Sequence, residues 1–382
     1  MNSLPKSLSD KLAERTNANA LRQLGSGTGQ IDFSSNDYLG LSASTDIFNE
    51  AHDYLVQNTV ISNGSTGSRL ISGNHSLHDV TENAVAKFHL AESALIFNSG
   101  YDANLGFFSS VPQKGDVVLY DEYIHASIRD GIRLNNAAAY KFAHNDIDAL
   151  KSLVLRYRDR ANEVYVVTES VFSMDGDSPD LSAIAVICKE SSCRLVVDEA
   201  HAIGVFGEKG EGIIQMLRLQ DAVFARIITF GKAVGCHGAA ILGATDLRSY
   251  LINFARSFIY TTALPPHSLA TILTAYSHLN ISVSEREALQ DNITFFRDQV
   301  AGLGLKSFIE SESAIHCLVV PGNEKVKLIA SALQQKGFSV KAILYPTVPQ
   351  GQERLRFCLH SYNTKEQITS VLALLANSLL YP

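Results

Sequence analysis

Apolar residues are distributed along this chain in two patterns that take turns. Short runs rich in Val, Ile, Leu and Ala occur at 94–97, 117–120, 137–142, 164–168, 194–197 and 226–230, each followed by polar or glycine-containing turns. Runs of this length predict strands buried on both faces. Helix-like intervals such as 179–191 separate several of them, and the alternation predicts an α/β architecture with a sheet covered on both sides.

Elsewhere the pattern is more irregular. Helical spacing runs over 5–24, with Leu8, Leu12 and Leu21 among polar positions, and the glycines at 25–29 lead into an extended Ile31-Asp32-Phe33. The stretches 63–69 and 72–74 hold too much Gly and Ser for a helix interior and predict a shaped loop beside a binding site. A helix is expected from 76 to about 90. The strand at 94–97 then turns through 98–104 into another helix, a junction that aims unpaired backbone N–H groups at an anion. In the last third, helices around 266–302, 323–336 and 365–378 accompany strands at 314–319, 339–343 and 354–359. The expected division is an arm over 1–45, a large domain over 46–280 and a smaller α+β domain over 281–382.

Composition narrows the function classes. With 382 residues, 46% hydrophobic and 19% charged, the chain can bury a large core. A net charge of −7 offers no broad basic field and argues against a nucleic-acid partner. The five cysteines are scattered, as reduced thiols are, and no His, Cys, Asp or Glu cluster has metal-ligand spacing, so no metal is expected. The first residues lack an apolar signal core and no run reaches membrane-spanning length, so a cytoplasmic protein without a membrane span is expected. Neither the dinucleotide fingerprint nor the phosphate-loop pattern occurs at a strand–helix junction.

The candidate chemistry sits where strands end. The run 194–197 delivers Asp198-Glu199-Ala200-His201, and 226–230 delivers Gly231-Lys232 just after Thr229. An ionised carboxylate closing a buried strand is costly unless it is paired. A protonated pyridine nitrogen meets that need, a lysine between Gly231 and Ala233 has room to bind an aldehyde, and a nearby hydroxyl suits a phosphate. The set reads as a pyridoxal 5'-phosphate site. In it Asp198 holds the ring nitrogen, Lys232 the aldehyde, and His201 reaches the 3'-oxygen, while Glu199 points to the opposite side of the strand. His125, beyond the strand at 117–120, suits stacking on the ring and passing a proton. The backbone of Gly100, Tyr101 and Asp102, with the hydroxyls of Ser173 and Thr229, suits the phosphate. Each residue also has a plainer reading: a solvated lysine, a capping or salt-bridged aspartate, a surface His201, a structural His125.

Five ordered motifs spread over nearly the whole chain: Phe33-Ser34-Ser35-Asn36-Asp37-Tyr38-Leu39-Gly40-Leu41, Gly64-Ser65-Thr66-Gly67-Ser68-Arg69, Asp198-Glu199-Ala200-His201, Thr229-Phe230-Gly231-Lys232 and Pro346-Thr347-Val348-Pro349. Together they resemble the α-oxoamine synthase family of fold-type I pyridoxal-phosphate enzymes. The resemblance implies a large domain with a mainly parallel seven-stranded sheet between helices, and a smaller α+β C-terminal domain. It implies decarboxylative condensation of an L-amino acid with an acyl thioester, on coenzyme A or an acyl-carrier protein. L-Alanine with a pimeloyl group, as in biotin synthesis, is the first expectation. Glycine with acetyl, glycine with succinyl and serine with palmitoyl follow in that order. The resemblance also places Asn36 and Arg356 on the amino-acid carboxylate and Arg22 near the acyl end. It implies a homodimer with shared sites, in which Thr261 or Thr262 of the opposite subunit touches the phosphate. One departure concerns the acyl end. Where many members with the alanine–pimeloyl pair carry Arg-Pro-Pro-Thr-Val-Pro, this chain has Leu344-Tyr345-Pro346-Thr347-Val348-Pro349, and Arg22 would compensate for the missing charge. Outside this reading stand a fold-type I aminotransferase and a non-catalytic scaffold of the same fold; the glycine-serine loop and the Pro-Thr-Val-Pro arm favour condensation.

Overall fold

The computed structural model describes residues 4–22, 24 and 29–380. Two compact units emerge, one of Met1–Ser35, Met174–Asp177 and Ala288–Pro382, the other of Asn36–Ser173 and Ser178–Glu287. Among the described residues the strands, in chain order, are β1 (Ile31–Asp32), β2 (Ser93–Phe97), β3 (Val117–Asp121), β4 (Ala138–Phe142), β5 (Val164–Glu169), β6 (Arg194–Asp198), β7 (Ala225–Thr229), β8 (Ala239–Gly243), β9 (Ile315–Val319), β10 (Phe338–Ser339), β11 (Lys341–Ile343) and β12 (Arg354–Cys358).

In the larger unit a seven-stranded sheet runs in the order β2-β8-β7-β6-β5-β3-β4. It is parallel except for β8, which is antiparallel to both β2 and β7. The expected α/β fold with a mainly parallel sheet is therefore the one observed. Val166, Val167, Leu195, Val196, Val197 and Ile228 are all fully buried in the middle of the sheet, which explains why these strands read as unbroken apolar runs. At the edge, β4 is mostly exposed. Parallel pairing delivers the carboxyl ends of β3, β5, β6 and β7 to one rim, so Asp121, Glu169, Asp198 and Thr229 end their strands on the same side. Crevices at that rim are where open α/β sheets bind ligands.

Polar side chains start several flanking helices. Ser44 takes the Ile47 N–H at 3.3 Å, Asp146 the Ala149 N–H at 2.8 Å and Asp180 the Ala183 N–H at 2.9 Å, each satisfying a donor the helix itself cannot. The helix expected over 179–191 is Leu181–Glu190, and the 266–302 interval is two helices, Pro266–Ile281 and Val283–Gly302.

The smaller unit holds the three-stranded antiparallel sheet β11-β12-β9 and the parallel pair β1-β10. The single strand expected at 339–343 is in fact two, because Phe338–Ser339 pairs with β1 while Lys341–Ile343 pairs with β12. Val340, fully buried, lies between them. The amino-terminal helix is Lys6–Asn17, shorter than the spacing over 5–24 suggested. Asn19 adopts a left-handed φ of 48° that ends it. The glycine-rich lead-in at 25–28 lies outside the described residues.

Candidate active site

Asp198, at the end of β6, is 6% exposed. Its Oδ2 accepts from Asn104 Nδ2 at 2.9 Å and its Oδ1 from the Ala200 N–H at 2.9 Å. No Lys, Arg or His side chain among the described residues forms an ion pair with it. A buried carboxylate with two uncharged donors and no cation among the described residues calls for a positively charged partner, and a protonated pyridine ring meets that requirement. Glu199, next in the chain, faces away. Arg226 Nε and Nη2 reach its Oε2 at 2.7 and 2.6 Å, and its Oε1 takes the Ile214 N–H at 2.9 Å.

His125 caps the helix Ala126–Arg133. Its Nδ1 accepts from the Ser127 N–H at 3.2 Å and lies 2.7 Å from Ser127 Oγ. That hydroxyl itself accepts from Asn104 Nδ2 at 3.0 Å, so it donates to the imidazole, and the network assigns the ring proton to Nε2. Asn104 thus ties Asp198 to His125 through Ser127. The residue is exposed, yet desolvation still holds its pKa below the usual histidine value. Asp198 opposes that depression and Lys232 adds to it.

His201 is 4% exposed, with Nδ1 2.7 Å from the hydroxyl of the fully buried Tyr38. The same hydroxyl donates to Asn36 Oδ1 at 3.1 Å. Asn36, Tyr38 and His201 are thereby brought together.

The segment after β7 is a knot of backbone hydrogen bonds. Phe230 N–H donates to Gly238 O at 2.9 Å, Cys236 N–H to Phe230 O at 2.8 Å and Gly235 N–H to Lys232 O at 2.8 Å. Gly235 has a φ of 69°, and a Cβ there would overlap the Ser42 nitrogen and stand 2.6 Å from the Leu41 carbonyl carbon. Lys232 is half-buried, and its charge lowers the pKa of both His125 and Glu169, so its amine is within electrostatic reach of both.

At the start of the helix Gly100–Ser110, Ser99 Oγ accepts from the Asp102 N–H at 3.0 Å and donates to Asp102 Oδ2 at 2.9 Å. The Asp102 N–H is thus already occupied, whereas those of Gly100 and Tyr101 have no hydrogen-bond partner among the described residues. Thr229 Oγ1 stands 3.6 Å from where a Cβ on Gly100 would be, so hydroxyl and helix start converge, a suitable anion cradle. Ser173 lies half-buried on the turn beyond β5. Asn98 Nδ2 donates to Thr261 Oγ1 at 3.0 Å and to Thr262 O at 2.7 Å, beside the same junction.

The two arginines belong to the smaller unit. Arg356, on β12, is 7% exposed and faces Lys341 and Cys317 across the ladder. Its neighbour Arg354 is bound to Asp175 and donates to Met174 O at 3.0 Å, a structural role. Arg22 is exposed, and its Nη2 donates to Thr347 Oγ1 at 3.3 Å on the Pro-Thr-Val-Pro arm.

Four residues around the site went unassigned in the sequence: Tyr38, Asn104, Ser127 and Glu169. Glu169 ends β5, is 3% exposed, and its Oε1 accepts the His125 N–H at 2.5 Å. Its position after an apolar run carries the same signal as Asp198. Asn104 offers no such cue, because it lies mid-helix and only the fold brings it to β6.

The chain matches the family described as Aminotransferase class I and II over residues 28–375. It is 42% identical to an 8-amino-7-oxononanoate synthase of Emericella nidulans over 364 residues, 91% of this chain and 88% of that protein. To the 8-amino-7-oxononanoate synthase of Sodalis glossinidius it is 38% identical, with 92% and 88% covered. Among solved structures, a serine palmitoyltransferase of Sphingomonas wittichii superposes with a TM-score of 0.90 at 27% identity, covering 99% of this chain and 98% of that one. The 8-amino-7-oxononanoate synthase of Francisella tularensis superposes at 0.79 with 32% identity, covering 93% and 99%.

Proposed function

The chain belongs to the α-oxoamine synthase family of fold-type I pyridoxal-phosphate enzymes, and on that premise we propose that it joins L-alanine to a pimeloyl thioester. The products are 8-amino-7-oxononanoate, carbon dioxide and the free thiol, in a step towards biotin. The observation that carries the reading is Asp198, a buried strand-end carboxylate held by two uncharged donors and lacking a cation.

When bound, pyridoxal 5'-phosphate supplies an electron sink for charge developing on the amino acid's α-carbon. Lys232 supplies the amine that holds the aldehyde and the base that takes and returns the α-proton. Asp198 would hold the ring nitrogen protonated, His125 would cover the ring as a neutral imidazole, and His201 would contact the 3'-oxygen. The N–H groups of Gly100 and Tyr101 hold the phosphate with the hydroxyls of Thr229 and Ser173. Asp102, tied to Ser99, keeps that helix start in shape. Asn36 and Arg356 orient the amino-acid carboxylate, a task suited to the planar guanidinium fork. Arg22, resting on Thr347, faces the far carboxylate of the acyl chain and replaces the charge absent at Leu344. The enzyme works as a homodimer in which Thr261 or Thr262 of the partner subunit completes the phosphate site. Its five free cysteines suit the cytoplasm, and no helix among the described residues is long and apolar enough to cross a membrane.

The higher backbone agreement with a serine palmitoyltransferase comes at lower sequence identity. A shared backbone leaves acyl length undetermined, since specificity rests on side chains lining the site. The test is a matrix of alanine, glycine and serine against pimeloyl, acetyl, succinyl and palmitoyl thioesters, on coenzyme A and on carrier protein, read by product mass. Alanine with pimeloyl is expected to dominate; glycine turnover with acetyl and no pimeloyl product overturns the assignment, and amino-group transfer without thiol release points to an aminotransferase. Lys232→Ala is expected to lose the visible absorption of the bound cofactor and all multiple turnover while keeping its fold by circular dichroism.

A further inference from the structure

Two carboxyl groups end neighbouring parallel strands in direct register, Glu169 on β5 and Asp198 on β6. Both are at least nine-tenths buried, at 3% and 6% exposure. Adjacent strands lie only about 4.8 Å apart, so register partners present their side chains on the same face, and two neighbouring carboxyl groups away from water resist ionising together. Their hydrogen bonds differ. Asp198 receives two donors, from Asn104 and Ala200, whereas Glu169 receives one, the His125 N–H. Neither forms an ion pair with a Lys, Arg or His side chain among the described residues. Glu169, the partner with fewer donors, takes the proton.

We propose that Glu169 is a positioning residue that acts as a neutral carboxylic acid, its Oε1 fixing the backbone of His125 while its proton spares Asp198 a second negative neighbour. The inference rests on the cofactor reading above, because its purpose is to leave Asp198 as the single carboxylate that attracts a cationic ring, under an imidazole set at a defined height. The groups facing Glu169 agree on balance. Burial pushes its pKa well above the usual carboxylate range and Asp198 pushes the same way. Lys232 and the His125 N–H pull it down, and Asp121 adds a further upward push. Asp121 itself is engaged by His144 Nδ1 at 2.9 Å.

Glu169→Gln keeps the acceptor and stays uncharged at every pH, whereas Glu169→Ala removes the acceptor and leaves the His125 N–H unpaired. Cofactor affinity is expected to stay within about twofold of the parent in Glu169→Gln and to fall roughly tenfold in Glu169→Ala. Two measurements on the apoprotein are independent of any cofactor. Infrared spectroscopy at neutral pH should show a protonated-carboxyl C=O band that Glu169→Gln removes. Denaturant titrations should show the complementary pH dependence. A carboxyl whose pKa is raised by folding stabilises the fold below its ordinary value and loses that contribution as pH rises towards the folded value. The parent should therefore lose stability relative to Glu169→Gln as pH climbs above the ordinary glutamate range. A Glu169→Gln variant as impaired in cofactor binding as Glu169→Ala, or an apoprotein without the carboxyl band, overturns the proposal. Failure of the cofactor reading shows instead as absent pyridoxal phosphate binding by the parent, with both apoprotein signals intact.

Discussion

Asp198 owes its readiness for a cation to what surrounds it. Asn104 Nδ2 and the Ala200 N–H satisfy its oxygens without neutralising it, so charge compensation falls to the ligand. Asp198→Asn preserves shape but removes the charge, and its amide nitrogen can no longer accept from one of the two donors. Truncating one side of a buried charge pair costs on the order of 3 kcal/mol, so cofactor affinity is expected to drop about a hundredfold. Titration of the apoprotein with pyridoxal phosphate, followed by absorbance, measures this directly, and an unchanged dissociation constant would remove Asp198 from the ring nitrogen. The same scale explains which site residues the sequence disclosed. Asp198, Glu199 and Lys232 follow apolar runs, where a charged side chain needs a reason to be. Asn104, Ser127 and Tyr38 do not stand out in sequence. Asn104 and Ser127 lie in helices, and Tyr38 looks like any aromatic core residue, so their roles are visible only as hydrogen bonds across long stretches of chain.

Among the elements, the turn between β7 and β8 has little freedom. It must present Lys232 while returning the chain antiparallel along β7, and it does so by seating Gly235 at a φ of 69° against the backbone of Leu41 and Ser42. Gly235→Ala places a Cβ into that backbone contact in a conformation unfavourable to side chains. A cost of about 1–3 kcal/mol is expected, lowering the midpoint of thermal unfolding by several degrees. Cofactor affinity should fall with it, because the segment that shifts carries Lys232. Calorimetry with and without pyridoxal phosphate separates the two effects, and a variant as stable and as tightly binding as the parent would show that the turn is not constrained. Some elements leave little trace in sequence. The buried parallel strands β3, β5, β6 and β7 were plain from apolar runs, but Ala239–Gly243 is a short alanine-rich run between glycines, and nothing local marks it as β8. The strand expected at 339–343 looked continuous because its apolar residues are; its division at Val340 follows from pairing with two different partners, which periodicity does not record.

For the molecule as a whole, the loops that carry Gly100, His125, Ser173, Asp198 and Lys232 follow the ends of β2, β3, β5, β6 and β7 of one sheet, so this part of the site is legible from the order of strands in sequence. Assembly lies beyond that logic, since no local pattern encodes a symmetry axis. The homodimer proposed above makes a prediction that a self-contained monomer does not. If the phosphate contact comes from the partner subunit's Thr261 or Thr262, then each site needs Lys232 from one chain and a threonine from the other. Lys232→Ala and the double variant Thr261→Ala/Thr262→Ala are mixed, unfolded and refolded together, and assayed at a cofactor concentration that leaves the double variant empty. In a mixed dimer of two-fold symmetry one of the two sites is then wholly wild type, and with random pairing about a quarter of the parental activity should return. If lysine and threonines serve the same site from one chain, no mixed dimer contains an intact site and the mixture stays as inactive as its components. In this chain Thr261 Oγ1 and Thr262 O already receive Asn98 Nδ2, so the threonines are held at the edge of the Gly100 junction whichever subunit they serve. The mixing experiment therefore reads how the site is shared between chains, with the local fold unchanged.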